Sequence, residues 1–138
     1  MGIILLFITM GLLSCATLPK KLITGNDLPI LKGKWDGTRT VGTGVTALTE
    51  LEIYNDTIPL KGKLMAHNVL VRGASGGTVT LDFNNGLINP EGNFIIKSGQ
   101  DVIELSLYQG EGKMKLQGDY YMMGAKGMLV LYKKSSLP

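Results

Sequence analysis

Apolar side chains recur at every second position in four separate windows of this chain. Leu51 and Ile53 oppose Glu50, Glu52 and Tyr54, while Val79, Leu81 and Phe83 alternate with Thr78, Thr80 and Asp82. Ile103, Leu105 and Leu107 alternate with Val102, Glu104, Ser106 and Tyr108, and Met114 and Leu116 alternate with Lys113, Lys115 and Gln117. Successive side chains of an extended strand face opposite sides, so this pattern fits half-buried antiparallel strands. Helical spacing fits none of these windows. Between them fall Asn55-Asp56, Asn84-Asn85-Gly86, Asn89-Pro90-Glu91-Gly92, Ser98 to Asp101 and Gly110-Glu111-Gly112. Glycine and asparagine supply the positive φ angles that tight hairpins need.

Turn signals at intervals of about 8–12 residues predict consecutive hairpins. Glycines inside or beside the runs (Gly42, Gly44, Gly62, Gly118, Gly127) fit a wall that bends sharply. The expected fold is all-β, a small antiparallel up-and-down β-barrel of about 8–10 strands with no significant helix in the mature domain. The last run is apolar from Met128 to Tyr132 without alternation, which predicts a strand covered on both faces or lying at a seam. Leu22-Ile23 or Ile30-Leu31 is one candidate to pack over its outer side.

The apolar run Ile3–Leu13 has the length of a secretory signal core and is too short to span a bilayer as a helix. It ends in Leu12-Leu13-Ser14-Cys15, which resembles the lipobox of bacterial lipoproteins. That resemblance implies that Cys15 is acylated and becomes the first residue of the mature chain. No Lys or Arg precedes the apolar core, a departure from the usual signal. Cys15 is the only cysteine, so no internal disulfide can form. Ala16 stands where the resemblance would place an aspartate for inner-membrane retention. The expected location is therefore the cell envelope, lipid-anchored, on the outer membrane facing the periplasm if the organism has two membranes. Residues 1–14 are expected to be the signal, 15–31 a lipidated N-terminus and tether, and 32–138 the barrel domain. The tether reading rests on Pro19, Gly25 and Pro29, which break any helical period.

Lysine and arginine number 14 against 11 acidic residues, a net charge of +3. The pairs Lys20-Lys21, Lys61/Lys63, Lys113/Lys115 and Lys133-Lys134 are scattered along the chain and read as solvent faces of strands. A nucleic-acid binder needs a basic face with interleaved aromatics, so no nucleic-acid partner is expected.

Gly33-Lys34-Trp35 opens the first long strand and resembles the start of lipocalins and their calycin relatives. That resemblance implies a tryptophan plugging the closed end of a barrel whose open end takes a small apolar ligand. Ser75-Gly76-Gly77-Thr78-Val79 with Lys126-Gly127 resembles the cleft-entering elements of periplasmic lysozyme inhibitors, with Val79 where that family has tyrosine.

The catalytic inventory is thin. His67 is the only histidine, and no ligand set for a metal is expected. Gly73-Ala74-Ser75-Gly76-Gly77 spells a nucleophile elbow, yet a strand follows where that motif needs a helix. An enzyme would require His67 and Ser75 to converge. Asp36 is expected to pair with Arg39 or Arg72 and close the barrel floor. Met114, Met122 and Met128 fall near Tyr108, Tyr120 and Tyr121, and methionine adapts to varied apolar partners. The sequence therefore predicts a non-enzymatic, lipid-anchored barrel without cofactor or metal. Its expected ligand is a small apolar molecule in the barrel mouth, near the methionine and tyrosine cluster, with Trp35, Tyr108, Met114, Tyr120, Met122 and Met128 as the candidate binding residues. The alternative is a structural or protein-interaction module of the envelope, such as an inhibitor-like barrel, presenting a strand edge or the Gly73–Gly77 loop.

Overall fold

Each alternating window becomes a strand whose apolar members point inward. The computed structural model describes residues 18–41, 45–71 and 74–135; the signal run, Cys15, Gly42, Gly44, Arg72 and Gly73 lie outside the described residues. The strands are β1 (Lys20–Lys21), β2 (Gly33–Val41), β3 (Val45–Ile53), β4 (Leu60–Val71) and β5 (Ala74–Ile88). They continue with β6 (Phe94–Ser98), β7 (Asp101–Gly110), β8 (Lys113–Met122) and β9 (Ala125–Lys133). From β2 onward every strand pairs antiparallel with its successor, and β9 returns to β2. The result is a closed eight-stranded up-and-down barrel with β1 as an added strand, as the alternation predicts.

Closure requires backbones to pass close together where the wall bends. A Cβ on Gly37 would lie 1.9 Å from the Val130 carbonyl oxygen, and one on Gly118 would lie 1.9 Å from that of Glu104. Gly62 is in the same position, 2.0 Å from the Glu52 carbonyl oxygen. These inward positions accept no side chain.

The end of the barrel where β2, β4, β6 and β8 begin is its floor; the opposite end is the mouth. A 3-10 turn (Gly25–Asp27) runs into the short helix α1 (Leu28–Leu31), the only helical structure among the described residues. Leu28 and Leu31 are buried against the core. Asp27 holds this segment together. Its carboxylate accepts hydrogen bonds from the Thr24 amide (2.8 Å) and hydroxyl (3.0 Å) and pairs with the Lys21 ammonium at 2.7 Å.

The preceding segment is fastened to the wall. Lys20 and Lys21 pair with Tyr108 and Leu107 of β7, and the Ile23 amide donates to the Gly92 carbonyl. Of the two expectations for β9 the seam holds, since β9 is the strand that closes the barrel on β2, while the cover by the N-terminal segment does not form. Met128 and Tyr132 are exposed on its outer face, and the N-terminal segment docks on β7 instead. The reason is hydrogen bonding: both edges of β9 are taken by β2 and β8, whereas β6 is too short to cover β7 beyond Leu105.

β4 and β5 form the longest hairpin, and it outruns its neighbours. β4 pairs with β3 only as far as Thr49↔Ala66, then bulges, with Asn68 at φ 55°. β5 pairs with β6 only at Leu87↔Ile95 and Ile88↔Phe94. Among the described residues, the second edge of β5 from Ala74 to Gly86 has no backbone partner.

Two predictions follow from the wall and its floor segment. Gly37→Ala is expected to destabilise the fold by about 3 kcal/mol or more, because backbone must move to admit the methyl. Gly25→Ala, where the added Cβ meets nothing within 4 Å, should leave the urea midpoint unchanged. The Lys21 ammonium, then the Thr24 amide, hold the Asp27 carboxyl below its ordinary pKa of 3.8. Its contribution is therefore fully present above the unfolded carboxylate range and is lost as pH falls through the lowered folded value. Asp27→Asn should cost about 2 kcal/mol at neutral pH. Urea titrations at decreasing pH should show that difference narrowing once the pH drops below the ordinary carboxylate range.

Candidate functional site

The barrel interior is occupied by its own side chains. Trp35 is 1% exposed at the floor, and its indole N–H donates to the Leu31 carbonyl at 2.9 Å. Lys133 reaches in from the end of β9. Its ammonium donates to the Ile30 carbonyl at 2.6 Å and to that of Lys32, and lies 5.0 Å from the Trp35 ring centre. Burial pushes the Lys133 pKa below its ordinary 10.5. Above this plug, Leu60, Leu105, Leu107, Leu116, Leu129 and Leu131 are fully buried. An eight-stranded barrel has room for such a filling or for one small ligand, and here large leucines at the inward positions take the space.

Towards the mouth the filling turns polar. Arg39 lies in phase with Trp35 and Gly37 on β2 and therefore points inward, where it is 4% exposed. Its guanidinium donates to the Leu48 carbonyl (3.2 Å), the Thr49 hydroxyl (3.3 Å) and the His67 carbonyl (2.5 Å). The expected Asp36–Arg39 pair does not form. Asp36 is one residue out of phase, faces outward, and meets the Lys134 ammonium at 3.4 Å. Tyr120, also inward, donates its hydroxyl to the Thr40 carbonyl at 2.7 Å.

His67 is held from both faces of the wall. Arg39 takes its carbonyl from inside, while outside its ring contacts Glu50 at 2.8 Å and Thr78 at 3.1 Å. Hydroxyl, imidazole and carboxylate in that order are the ingredients of a nucleophile, base and orienter. Here they lie on the outer wall, and neither His67 nor Thr78 lines a described hollow. What the arrangement does is tie β3, β4 and β5 together where β4 leaves β3. The Ser75 side chain, the partner considered for His67, lies outside the described ones. Among the described residues no group of three or more His, Cys, Asp or Glu converges as a metal site.

Among the described residues, an outer groove of about 600 Å³ runs across β7, β8, β9 and β2. Val102, Tyr121 and Met128 supply its apolar surface, Glu104, Asp119 and Lys126 its charges, and Thr40 its far side. Tyr120 reaches it through the gap left at Gly127, where an added Cβ would lie 2.6 Å from the tyrosine oxygen.

The six residues expected to share a ligand are spread over the barrel. Trp35 is in the floor, and Met114 is half-buried near the floor on the inner face of β8. Tyr108 lies on the outer face of β7 with the Lys115 ammonium 4.7 Å from its ring centre. Met122 packs against the core at the mouth end of β8. Only Tyr120 and Met128 come together, in the outer groove.

Comparison with known proteins identifies no relative. No family model, no curated protein and no solved structure matches the chain. The site is therefore described by its own geometry. Sequence reasoning missed the inward role of Arg39, although its even spacing from Trp35 carried the signal. It also missed Val102 and Lys126, which meet Tyr121 only through strand register.

Proposed function

We propose that this chain is a lipid-anchored barrel of the cell envelope that binds a small apolar molecule and performs no chemistry of its own. The observation that supports this reading is the contrast between the two faces of the wall. Inside, side chains fill the space. Outside, a groove of about 600 Å³ with tyrosine and methionine walls remains open, within the usual size range for small-molecule sites. Tyr121 and Met128 offer a flat and an adaptable apolar surface, and Lys126, 6.0 Å from the Tyr121 ring centre, caps one side. Attachment through acylated Cys15 accounts for the lipobox-like run, and several acyl chains on one residue give stable anchoring.

Native mass spectrometry of the chain, released from envelopes in mild detergent, should detect a retained small-molecule adduct. The double variant Tyr121→Ser/Met128→Glu should lose the adduct while keeping the wild-type urea midpoint. Absence of any adduct, or its persistence in the variant, would count against the groove. The anchor is read separately. The wild type should carry acyl mass on Cys15 and enter the detergent phase on cloud-point partitioning, and Cys15→Ser should carry none. A wild-type mass without acyl chains would overturn the anchor.

A further inference from the structure

The lysine pairs that look scattered in the sequence are gathered by the fold at one end. β2, β4 and β8 start at the floor and β9 finishes there, so Lys34, Lys61/Lys63, Lys113/Lys115 and Lys133-Lys134 all lie at that end. β1 brings Lys20 and Lys21 to the same end, beside Tyr108 and Leu107.

Strand register turns these residues into rows. The Lys134 amide donates to the Lys34 carbonyl at 2.8 Å, which sets the two abreast. Continuing the β8–β9 register past Lys115↔Tyr132 places Lys113 beside Lys134. Lys113, Lys134 and Lys34 thus form an exposed outward rim across three adjacent strands. The next row towards the mouth reads Lys20, Tyr108, Lys115, Tyr132 across β1, β7, β8 and β9. Tyr132 is 48% exposed. Acidic residues offset part of this charge: Asp36 meets Lys134, Asp27 pairs with Lys21 at 2.7 Å, and Glu52, opposite Lys34, meets Lys63 at 3.8 Å. Past Tyr132 the second row continues into Asp36 and Glu50, and exposed Glu91 and Glu111 sit in neighbouring turns, so the basic stretch is confined to β1, β7, β8, β9 and the start of β2. Across the mouth half of the same wall the outward charges are chiefly acidic, with Glu104 opposite Asp119.

We propose that this lysine–tyrosine face is a docking surface for an anionic phospholipid membrane, holding the barrel floor-side down. Lysines near such a surface are drawn by its negative potential, and tyrosine is favoured at headgroup depth, where its ring and hydroxyl both find partners. The occupant is indicated by where the chain enters. Cys15 lies three residues before Leu18, a reach of at most about 10 Å. The segment joins this same end, where the Gln109 amide donates to the Pro19 carbonyl at 3.1 Å. That argument for the occupant rests on the anchor reading; the charge rows do not.

The test is sedimentation of the full chain with vesicles of phosphatidylcholine alone or with phosphatidylglycerol added. An acyl anchor partitions into both, so the ratio of the two affinities reports docking. The wild type should favour the anionic vesicles about tenfold at low salt, and the preference should vanish near 0.5 M salt. Lys34→Glu/Lys113→Glu/Lys134→Glu should bring the ratio to about one, while the mouth-side control Lys97→Glu/Lys126→Glu keeps it. A ratio near one for the wild type, or equal loss in the control, would overturn the proposal. So would a single-stranded oligonucleotide that outcompetes the anionic vesicles, since the face would then serve a nucleic acid. An acylated chain without lipid preference leaves the anchor and removes docking; a chain without acyl mass that keeps the preference does the reverse.

Discussion

Everything in this molecule depends on the last strand finding the first long one. β9 is bonded along both edges, to β8 and to β2, and that double pairing turns a meander into a closed wall. Closure dictates parity, because one residue of slip would turn every inward side chain outward. It also demands curvature, which is why glycine occupies Gly37, Gly62 and Gly118, where a neighbouring carbonyl leaves no room for Cβ. With eight strands the enclosed space is small, and leucine fills it. The groove that stays open among the described residues lies on the outside of the wall.

The wall is weakest where β4 parts from β3, and polar chemistry rather than apolar packing secures it. A buried guanidinium is costly unless its donors are satisfied. Arg39 meets that requirement with the carbonyls of Leu48 and His67 and the hydroxyl of Thr49, so the cation bridges both sides of the split. On the outer surface the His67 ring repeats the bridge through Glu50 and Thr78. The single histidine, which invites a catalytic reading in the sequence, here links its strand to three others through its carbonyl and both ring nitrogens.

The architecture was legible because alternation is a local property. Leu51/Ile53 and Ile103/Leu105/Leu107 announce their strands and their inward faces without any knowledge of partners. The site was far less legible. Tyr121, Val102 and Lys126 become neighbours only once register is fixed, and register is decided by closure rather than by any one strand. The same holds for Lys34, Lys113 and Lys134, which no spacing rule connects. Asp36 and Arg39 illustrate the smallest such error: three residues apart in a strand, they must face opposite sides. Residues 15–31 read as a tether because prolines and glycine break their pattern, with Leu22-Ile23 and Ile30-Leu31 as docking pairs; in the described part of it, Ile23 and Leu31 are buried and β1 and the Asp27 cluster hold the segment against the barrel.

The edge of β5 that has no backbone partner among the described residues has a consequence for the protein's solubility. From Ala74 to Gly86 it offers a row of backbone donors and acceptors with no proline and no lysine to deter a stranger. Asp82 is the only charge along it. In a crowded compartment, edge-to-edge stacking of copies is therefore opposed by one carboxylate and by the poor strand propensity of Gly76-Gly77.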